Sequence, residues 1–493
     1  MTSDVTERTG AGGPRAGGTS PSFAGKSVLV VGLGRSGLAA SEVLRRYECS
    51  VTATDTSLKS DLNPEARALE EQGVRLALGG HDPALLKGKE LIVLSPGVPR
   101  AIPLIQEALK QGIPVLSEIE IAWELARAPI VAVTGTNGKS TVVTLLGKIM
   151  AAAGFETAVA GNIGIPLCAV AESVPPDGVI VAEISSFQLE SVEKFHAKVA
   201  VLLNITPDHL DRYPDVESYT AAKARVFANQ TPSDFAVLNA DDPAQKVFAA
   251  TLGAKILSFS FTERKVQHGA FVRGTSFWFR DSAGEWEITG VDDVPLKGPH
   301  NIANVMACVC ASAAAGVRPE QMKRPIEEFR GLEHRLEDVA EIDGVAFVND
   351  SKATNVDSMK YALLSFERPV VLIAGGKDKG GNFCKLAQLA SQKVKALVLI
   401  GQAADKIKSS WPSVKSSKAG SMEEAVATGL RLSSPGDVVL LAPGCASFDM
   451  FKDFEHRGRV FKEAVHALAR TGAGSGGSEK EGQNRKAGGG SCA

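Results

Sequence analysis

Val131-Ala-Val-Thr-Gly-Thr-Asn-Gly-Lys-Ser-Thr141 sets a lysine and two hydroxyls directly after a glycine-bearing turn, and the turn directly after an apolar run. A strand that breaks into such a turn as a helix opens suits a phosphate group. Backbone N–H groups of Gly135, Thr136, Asn137 and Gly138 can cradle phosphate oxygens, Lys139 adds a point charge, and Ser140 or Thr141 can hold a magnesium ion. The general pattern G-x-x-x-x-G-K-[ST] is not met, because Val133 occupies its first glycine position. The form T-G-T-N-G-K-S-T is shorter and rarer, which makes it more diagnostic.

Further groups of residues could also do chemistry. Gly32-x-Gly34-x-x-Gly37, with Asp55 downstream at the end of a second apolar run, matches a dinucleotide fingerprint in context as well as in letters. It indicates a helix N-terminus facing an anion and a carboxylate placed for a ribose or base, but not which nucleotide. Glu183 closes another apolar run, where a second magnesium ligand is expected beside a phosphate loop; a strand-end acid facing water is the bland alternative. In Asn204-Ile-Thr-Pro-Asp-His-Leu-Asp-Arg-Tyr213, the company of Asp208 and Asp211 favours His209 as a ligand or a substrate contact. Lys223, taken alone, reads as a solvated helix lysine. Three later segments each follow an apolar run: Asn349-Asp-Ser-Lys-Ala-Thr-Asn355, Gly375-Gly-Lys-Asp-Lys-Gly380 and Pro443-Gly-Cys-Ala-Ser447, the last continuing to Phe454. Together they collect Lys, Thr and Ser on one face, which suits an anionic substrate.

The elements that must position these groups alternate between strand and helix. Strands are expected over 27–31, 51–54, 90–94 and 114–116, making a doubly wound parallel sheet in a first domain over 23–128. A central domain over 129–331 takes strands 130–133, 178–184, 199–204 and 235–238. Short strands at 255–261, 270–279 and 285–292 follow as an antiparallel excursion, and a helix over 300–315 closes the domain. A third domain over 332–470 carries strands 345–349, 370–373, 396–400 and 438–441. Residues 1–22 and 471–493 read as disordered tails rich in small and polar residues.

The chain of 493 residues has a formal net charge of −2 and is 44% hydrophobic, the make-up of an ordinary soluble protein. No basic excess points to nucleic acid or to an anionic membrane surface. No apolar run approaches the roughly 20 residues a membrane span needs. The seven cysteines show no ligand or disulfide spacing, which suits a reducing cytosol.

Taken together, the motifs resemble the Mur ligase family over residues 25–469, with Asn349–Asn355 and Ala446–Phe451 most like its D-glutamate-adding member. The resemblance implies α/β architecture in three domains: an N-terminal Rossmann-like sheet, a central P-loop ATPase-like domain and a C-terminal Rossmann-like domain. It implies that the first domain binds the UDP part of UDP-N-acetylmuramoyl-L-alanine and no NAD. Arg35, Ser36, Asp55, Thr56 and Gly97 match uridine and phosphate contacts; Asn162, Ser185, Gln188 and His209 match contacts to the rest of that substrate. Lys139 and Ser140 would serve ATP phosphate and one magnesium ion. Glu183, His209 and Lys223 would hold a second, with Lys223 carbamylated. A protonated lysine repels a cation, whereas a carbamate presents oxygens that magnesium accepts. Asn301, Asn304, Arg335 and Asp350 match nucleotide contacts, Lys352 a catalytic lysine, and Thr354, Lys379, Ser447 and Phe454 the D-glutamate site.

The chemistry so implied is carboxylate activation by ATP through an acyl phosphate, followed by attack of an amine, with the third domain closing over the others. The expected protein is a cytoplasmic bacterial monomer with small-molecule partners. The competing readings are a sister ligase adding another amino acid, a Rossmann oxidoreductase, and a non-catalytic nucleotide-binding regulator.

Overall fold

The computed structural model describes residues 20–209, 212–296 and 298–474. Asp211 and nearly all of both expected tails therefore lie outside the described residues. The last helix, Phe454–Gly474, continues past residue 470.

In the first sheet, β1 (Ser27–Val31), β2 (Ser50–Asp55), β3 (Arg75–Leu78), β4 (Leu91–Leu94) and β5 (Val115–Ser117) are ordered β3-β2-β1-β4-β5 and are all parallel. Crossover helices cover both faces of such a sheet, so its central strands must be apolar on both sides. Val28, Leu29 and Val30 are all fully buried. Strand order reverses at β1, and the turn leaving it enters the helix Arg35–Arg46. A Cβ on Gly37 would lie 1.8 Å from the Gly32 carbonyl oxygen, so this turn closes only with glycine there.

The second sheet holds β6 (Ile130–Thr134), β7 (Thr157–Gly161), β8 (Val179–Glu183), β9 (Val199–Leu202), β10 (Phe235–Asn239), β11 (Lys255–Ser260), β12 (Gly269–Arg273), β13 (Ser276–Arg280) and β14 (Glu285–Gly290). Its order is β14-β13-β12-β11-β10-β9-β6-β8-β7. Two expectations need correction. The single strand expected over 270–279 is a hairpin, because Gly274 takes φ 60° and turns the chain between β12 and β13. The strand expected first in the antiparallel excursion, β11, runs parallel to both neighbours; only β12–β13 and β13–β14 are antiparallel. Both sheets belong to one compact unit through Arg330.

The second compact unit begins at Gly331. Its strands β15 (Glu337–Ile342), β16 (Val345–Asn349), β17 (Val370–Gly375), β18 (Val394–Ile400), β19 (Ser416–Lys418) and β20 (Val438–Leu441) are ordered β15-β16-β20-β17-β18-β19. Only the β15–β16 pair is antiparallel. Among the described residues, no helix is long and apolar enough to cross a membrane.

Asp234, fully buried before β10, ties the entry of β10 to that of β9. Its carboxylate accepts from Thr231 N and Thr231 Oγ1 (both 2.7 Å), His196 Nε2 (2.8 Å) and Lys198 Nζ (3.1 Å). Burial alone would raise this acid, but these donors, His196 foremost, hold it down at about 2. An acid depressed below its unfolded value stabilises the fold above that value, and the contribution is lost as pH falls through the folded one. We therefore expect Asp234→Asn to cost about 2 kcal/mol at pH 7. The gap from wild type should shrink as pH is lowered from about 4 toward 2. Urea melts of both proteins along a pH series check this; a gap independent of pH would refute it.

Candidate active site

Strand register brings the first group together. Val133 pairs with Glu183 and Thr134 with Leu202, so the C-terminal ends of β6, β8 and β9 lie side by side. Ligands of open α/β sheets bind at this edge. The turn after β6 reaches Gly138 at φ 88°, which N-caps the helix Lys139–Ala152. That turn is braced by Asn204, just beyond β9. Thr136 N donates to the Asn204 carbonyl (2.9 Å), Asn137 N to Asn204 Oδ1 (2.9 Å), and Asn204 Nδ2 back to the Asn137 carbonyl (3.0 Å). Lys139 Nζ folds over the turn onto the carbonyls of Gly135 (2.9 Å) and Thr136 (2.8 Å). Asn304, in the helix Pro299–Ala314, sits so close that a Cβ on Gly138 would meet its Oδ1 at 2.3 Å; its Nδ2 donates to Asn301 Oδ1 (3.1 Å). Asn304 thus stands against the turn after β6, with Asn301 bonded to it.

Lys223 is not the solvated helix lysine its local sequence suggests. It is 2% exposed, its Nζ donates to the Gly135 carbonyl (2.8 Å), and the same nitrogen lies 4.6 Å from the Tyr219 ring centre. Burial, reinforced by repulsion from Lys139, pushes its ammonium well below the usual lysine range, against the opposing pull of Asp208 and Glu183. Glu183 is also 2% exposed. Asn162 Nδ2 donates to its Oε1 (2.8 Å), while its Oε2 is buried without a hydrogen-bond partner. A buried carboxylate oxygen left unbonded is costly in a protein interior. A carboxylate oxygen is the hard donor that magnesium takes, so this unbonded atom fits the ion expected at Glu183. His209 sits at φ 55° with its N–H on Asp208 Oδ1 (3.0 Å) and its ring 4.8 Å from that of Phe187.

At the first sheet, Asp55 accepts from Leu33 N (2.7 Å) and Ser57 N (2.8 Å). Burial would raise its carboxyl, yet these bonds hold it below the usual range. Arg35 Nη1 donates to the Gly164 carbonyl (3.1 Å). Ser185 and Gln188, expected at the substrate, bond to each other as a capping box on the short helix Ser186–Leu189. Ser36 lies in the first turn of the helix Arg35–Arg46, and Thr56 and Gly97 lie in the loops after β2 and β4.

In the second unit, Asn349 and Ile373 both pair with Leu441, so the loops after β16, β17 and β20 also share one edge. They carry Asp350, Lys352 and Thr354; Lys379; and Ser447. Lys377 and Ala446 exchange backbone hydrogen bonds (2.9 and 3.0 Å), which ties two of the loops and leaves both Lys377 and Lys379 side chains exposed. Lys352 Nζ lies 5.1 Å from the Phe454 ring centre. Burial raises the Asp350 carboxyl to about 6, even though Arg335, Arg457 and Lys352 oppose the shift. Sequence reasoning missed Arg457. Fully buried in the last helix, it donates through Nε to Ser351 Oγ (2.9 Å), through Nη1 to the Cys445 carbonyl (3.1 Å) and through Nη2 to the Ser351 carbonyl (2.7 Å).

Comparison with known proteins matches three family models in succession: "Mur ligase MurD-like, N-terminal domain" over residues 26–117, "Mur ligase middle domain" over 133–312 and "Mur ligase, glutamate ligase domain" over 334–445. A UDP-N-acetylmuramoylalanine–D-glutamate ligase of Koribacter versatilis is 46% identical over 90% of this chain and 98% of its own length. The chain belongs to the Mur ligase family. A second protein of the same name, from Pelotomaculum thermopropionicum, is 45% identical over 90% of this chain and 98% of itself. Solved Mur ligase folds superimpose at lower identity. A pseudomurein peptide ligase type C from Methanothermus fervidus has a TM-score of 0.57 at 19% identity, covering 90% of this chain and all of that one. The UDP-N-acetylmuramate–alanine ligase of Thermotoga maritima has a TM-score of 0.56 at 17% identity, covering 90% and 100%. As a Mur ligase this chain is an ATP-dependent ligase.

Proposed function

We propose that this Mur ligase joins D-glutamate to UDP-N-acetylmuramoyl-L-alanine, forming a peptidoglycan precursor with release of ADP and phosphate. The observation that carries this reading is the 46% identity to a D-glutamate ligase over nearly its whole length. A carboxylate is a poor electrophile. One of its oxygens attacks the γ-phosphorus of ATP and ADP leaves, giving an acyl phosphate. The D-glutamate nitrogen then attacks the acyl carbon and loses a proton, and the tetrahedral intermediate collapses by expelling phosphate. Gly135–Thr141 hold the triphosphate, aided by Asn301, Asn304, Arg335 and Asp350. Lys139 and Lys352 offset charge where anionic carboxylate meets anionic phosphate. Ser140 would hold one magnesium ion and Glu183, His209 and carbamylated Lys223 a second, lowering the electrostatic barrier further. Arg35, Ser36, Asp55, Thr56 and Gly97 take the UDP end of the substrate; Asn162, Ser185 and Gln188 support its reacting end. Thr354, Lys379, Ser447 and Phe454 receive D-glutamate. The enzyme acts as a cytoplasmic monomer on small molecules.

Phosphate release measured with D-Glu, L-Glu, L-Ala and diaminopimelate, each with its matching UDP precursor, tests the reading. D-Glu should lead in kcat/KM by on the order of a hundredfold or more. An equal or faster rate with another amino acid would make this a sister ligase. Calorimetry with NAD should be silent, and micromolar binding would revive the oxidoreductase reading.

A further inference from the structure

Arg212 lies between two parts of the site that are far apart in sequence. Its Nη1 donates to the Pro96 carbonyl (2.8 Å), in the loop after β4, and its Nη2 reaches the Val98 carbonyl (3.5 Å). The same Nη2 pairs with Glu190 Oε2 at 3.0 Å, with both side chains 15% exposed. The 95–98 loop in turn packs on the glycine turn of the first sheet. Ser95 Oγ donates to the Gly32 carbonyl (2.7 Å), and a Cβ on Gly32 would meet Val98 Cγ2 at 2.8 Å. On the other side, the N–H groups of Arg212 and Tyr213 both close on the His209 carbonyl (2.9 and 3.0 Å). Tyr213 Oη donates to the second Glu190 oxygen (2.6 Å). The guanidinium carbon stacks 3.9 Å from the Phe187 ring centre, and Phe187 meets the His209 imidazole edge-on. Arg100 fixes the backbone beyond Glu190 by donating to the Glu190 carbonyl and to Ser191 Oγ.

We propose that Arg212 is a positioning residue that couples the nucleotide end of the substrate site to its reacting end, by tying the loop holding Gly97 to the turn presenting His209. A planar fork bonds two carbonyls and a carboxylate while stacking on an aromatic face, which a lysine cannot reproduce. Loading of the 95–98 loop by the UDP group thereby holds the strained His209 turn in register. The coupling rests on the functional reading above; the tie itself does not.

The test compares wild type with Arg212→Lys, Arg212→Ala and Glu190→Gln. In wild type, raising UDP-N-acetylmuramoyl-L-alanine should lower the magnesium concentration for half-maximal phosphate release by about tenfold, a usual size for site–site coupling. In Arg212→Ala and Arg212→Lys that linkage should vanish, while the KM for ATP stays within about twofold because the phosphate loop is untouched. Glu190→Gln keeps the shape, removes the charge, and should retain part of the linkage. Hydrogen exchange adds a readout that needs no activity: both Arg212 variants should lose protection in 95–98 and 212–213 together. Variants that keep the magnesium linkage, or keep protection in 95–98, overturn the proposal. Should Arg212→Ala fail to fold, Arg212→Lys and Glu190→Gln carry the same comparison. Wild-type protein inactive on the UDP substrate refutes the functional reading, and the exchange experiment still decides the tie.

Discussion

Lys223→Ala lowers ligation by on the order of a thousandfold or more, and short carboxylates supplied with bicarbonate restore part of it. The expectation follows from where the amine sits. Its ammonium is buried against the Gly135 carbonyl, repelled by Lys139 and pushed well below the ordinary lysine range. A neutral amine is the form that adds to carbon dioxide: the N–C bond forms, a proton leaves the nitrogen, and the product is an anion. Lys139 supplies positive charge beside that anion, and the anion, together with Glu183 Oε2, buried without a hydrogen-bond partner, would offer a cation two anionic oxygen donors. The alternative role, a structural amine capping the phosphate loop, predicts something different. Alanine would then loosen the loop and raise the KM for ATP, and added carboxylate would do nothing. Steady-state kinetics with and without acetate or formate separate the two, and a carbamate carbon signal in protein labelled with 13C-bicarbonate adds a direct check. Full activity in the unsupplemented variant would sink the carbamate.

How legible these features were in the sequence depended on burial. Strands flanked on both sides carry continuous apolar runs, and β1, β16 and β20 have the bounds their patterns suggest. The strands that left no such trace, β3, β7, β15 and β19, all lie at sheet edges, where one side needs no apolar cover and the run is broken by polar residues. The hairpin after β12 was hidden because the aromatic and β-branched run continues across Gly274, whose positive φ only the backbone reveals. That the loops after strands share one edge was readable, since it follows from the strand–helix alternation. Residues working through shape were not. Ser185 and Gln188, expected at the substrate, also bond to each other in a helix cap that their sequence did not announce. Arg457 and Glu190 are single charges in helical or turn sequence that look solvated until their partners, distant in the chain, fold against them.

Arg457→Ala destabilises the second unit by about 3–5 kcal/mol, the cost typical of removing one member of a buried charged network. Two carbonyls, of Ser351 and Cys445, lose their donor inside the fold, at roughly 1–3 kcal/mol each. Ser351 Oγ keeps its bond to the Phe454 carbonyl (2.8 Å), so the loop after β16 is loosened and not freed. The damage should depend on pH. Asp350 has its carboxyl raised to about 6, and Arg457 is among the cations that limit the shift. Without it the acid moves higher still, and above that value the ionised form is buried with one partner fewer. At pH 5 Asp350 is largely protonated in either protein and the lost cation matters little; at pH 8 it is ionised and the loss is felt in full. Denaturant melts should therefore show a larger penalty at pH 8 than at pH 5. The same change loosens both loops that carry Thr354 and Ser447, so the KM for D-glutamate should rise more than that for ATP, whose loop is in the other unit. Arg457→Lys should rescue little, because an ammonium cannot hold two carbonyls and a hydroxyl at the angles of the guanidinium fork. Equal penalties at both pH values would show that Arg457 acts through packing alone, and an unchanged KM for D-glutamate would remove it from the amino-acid site.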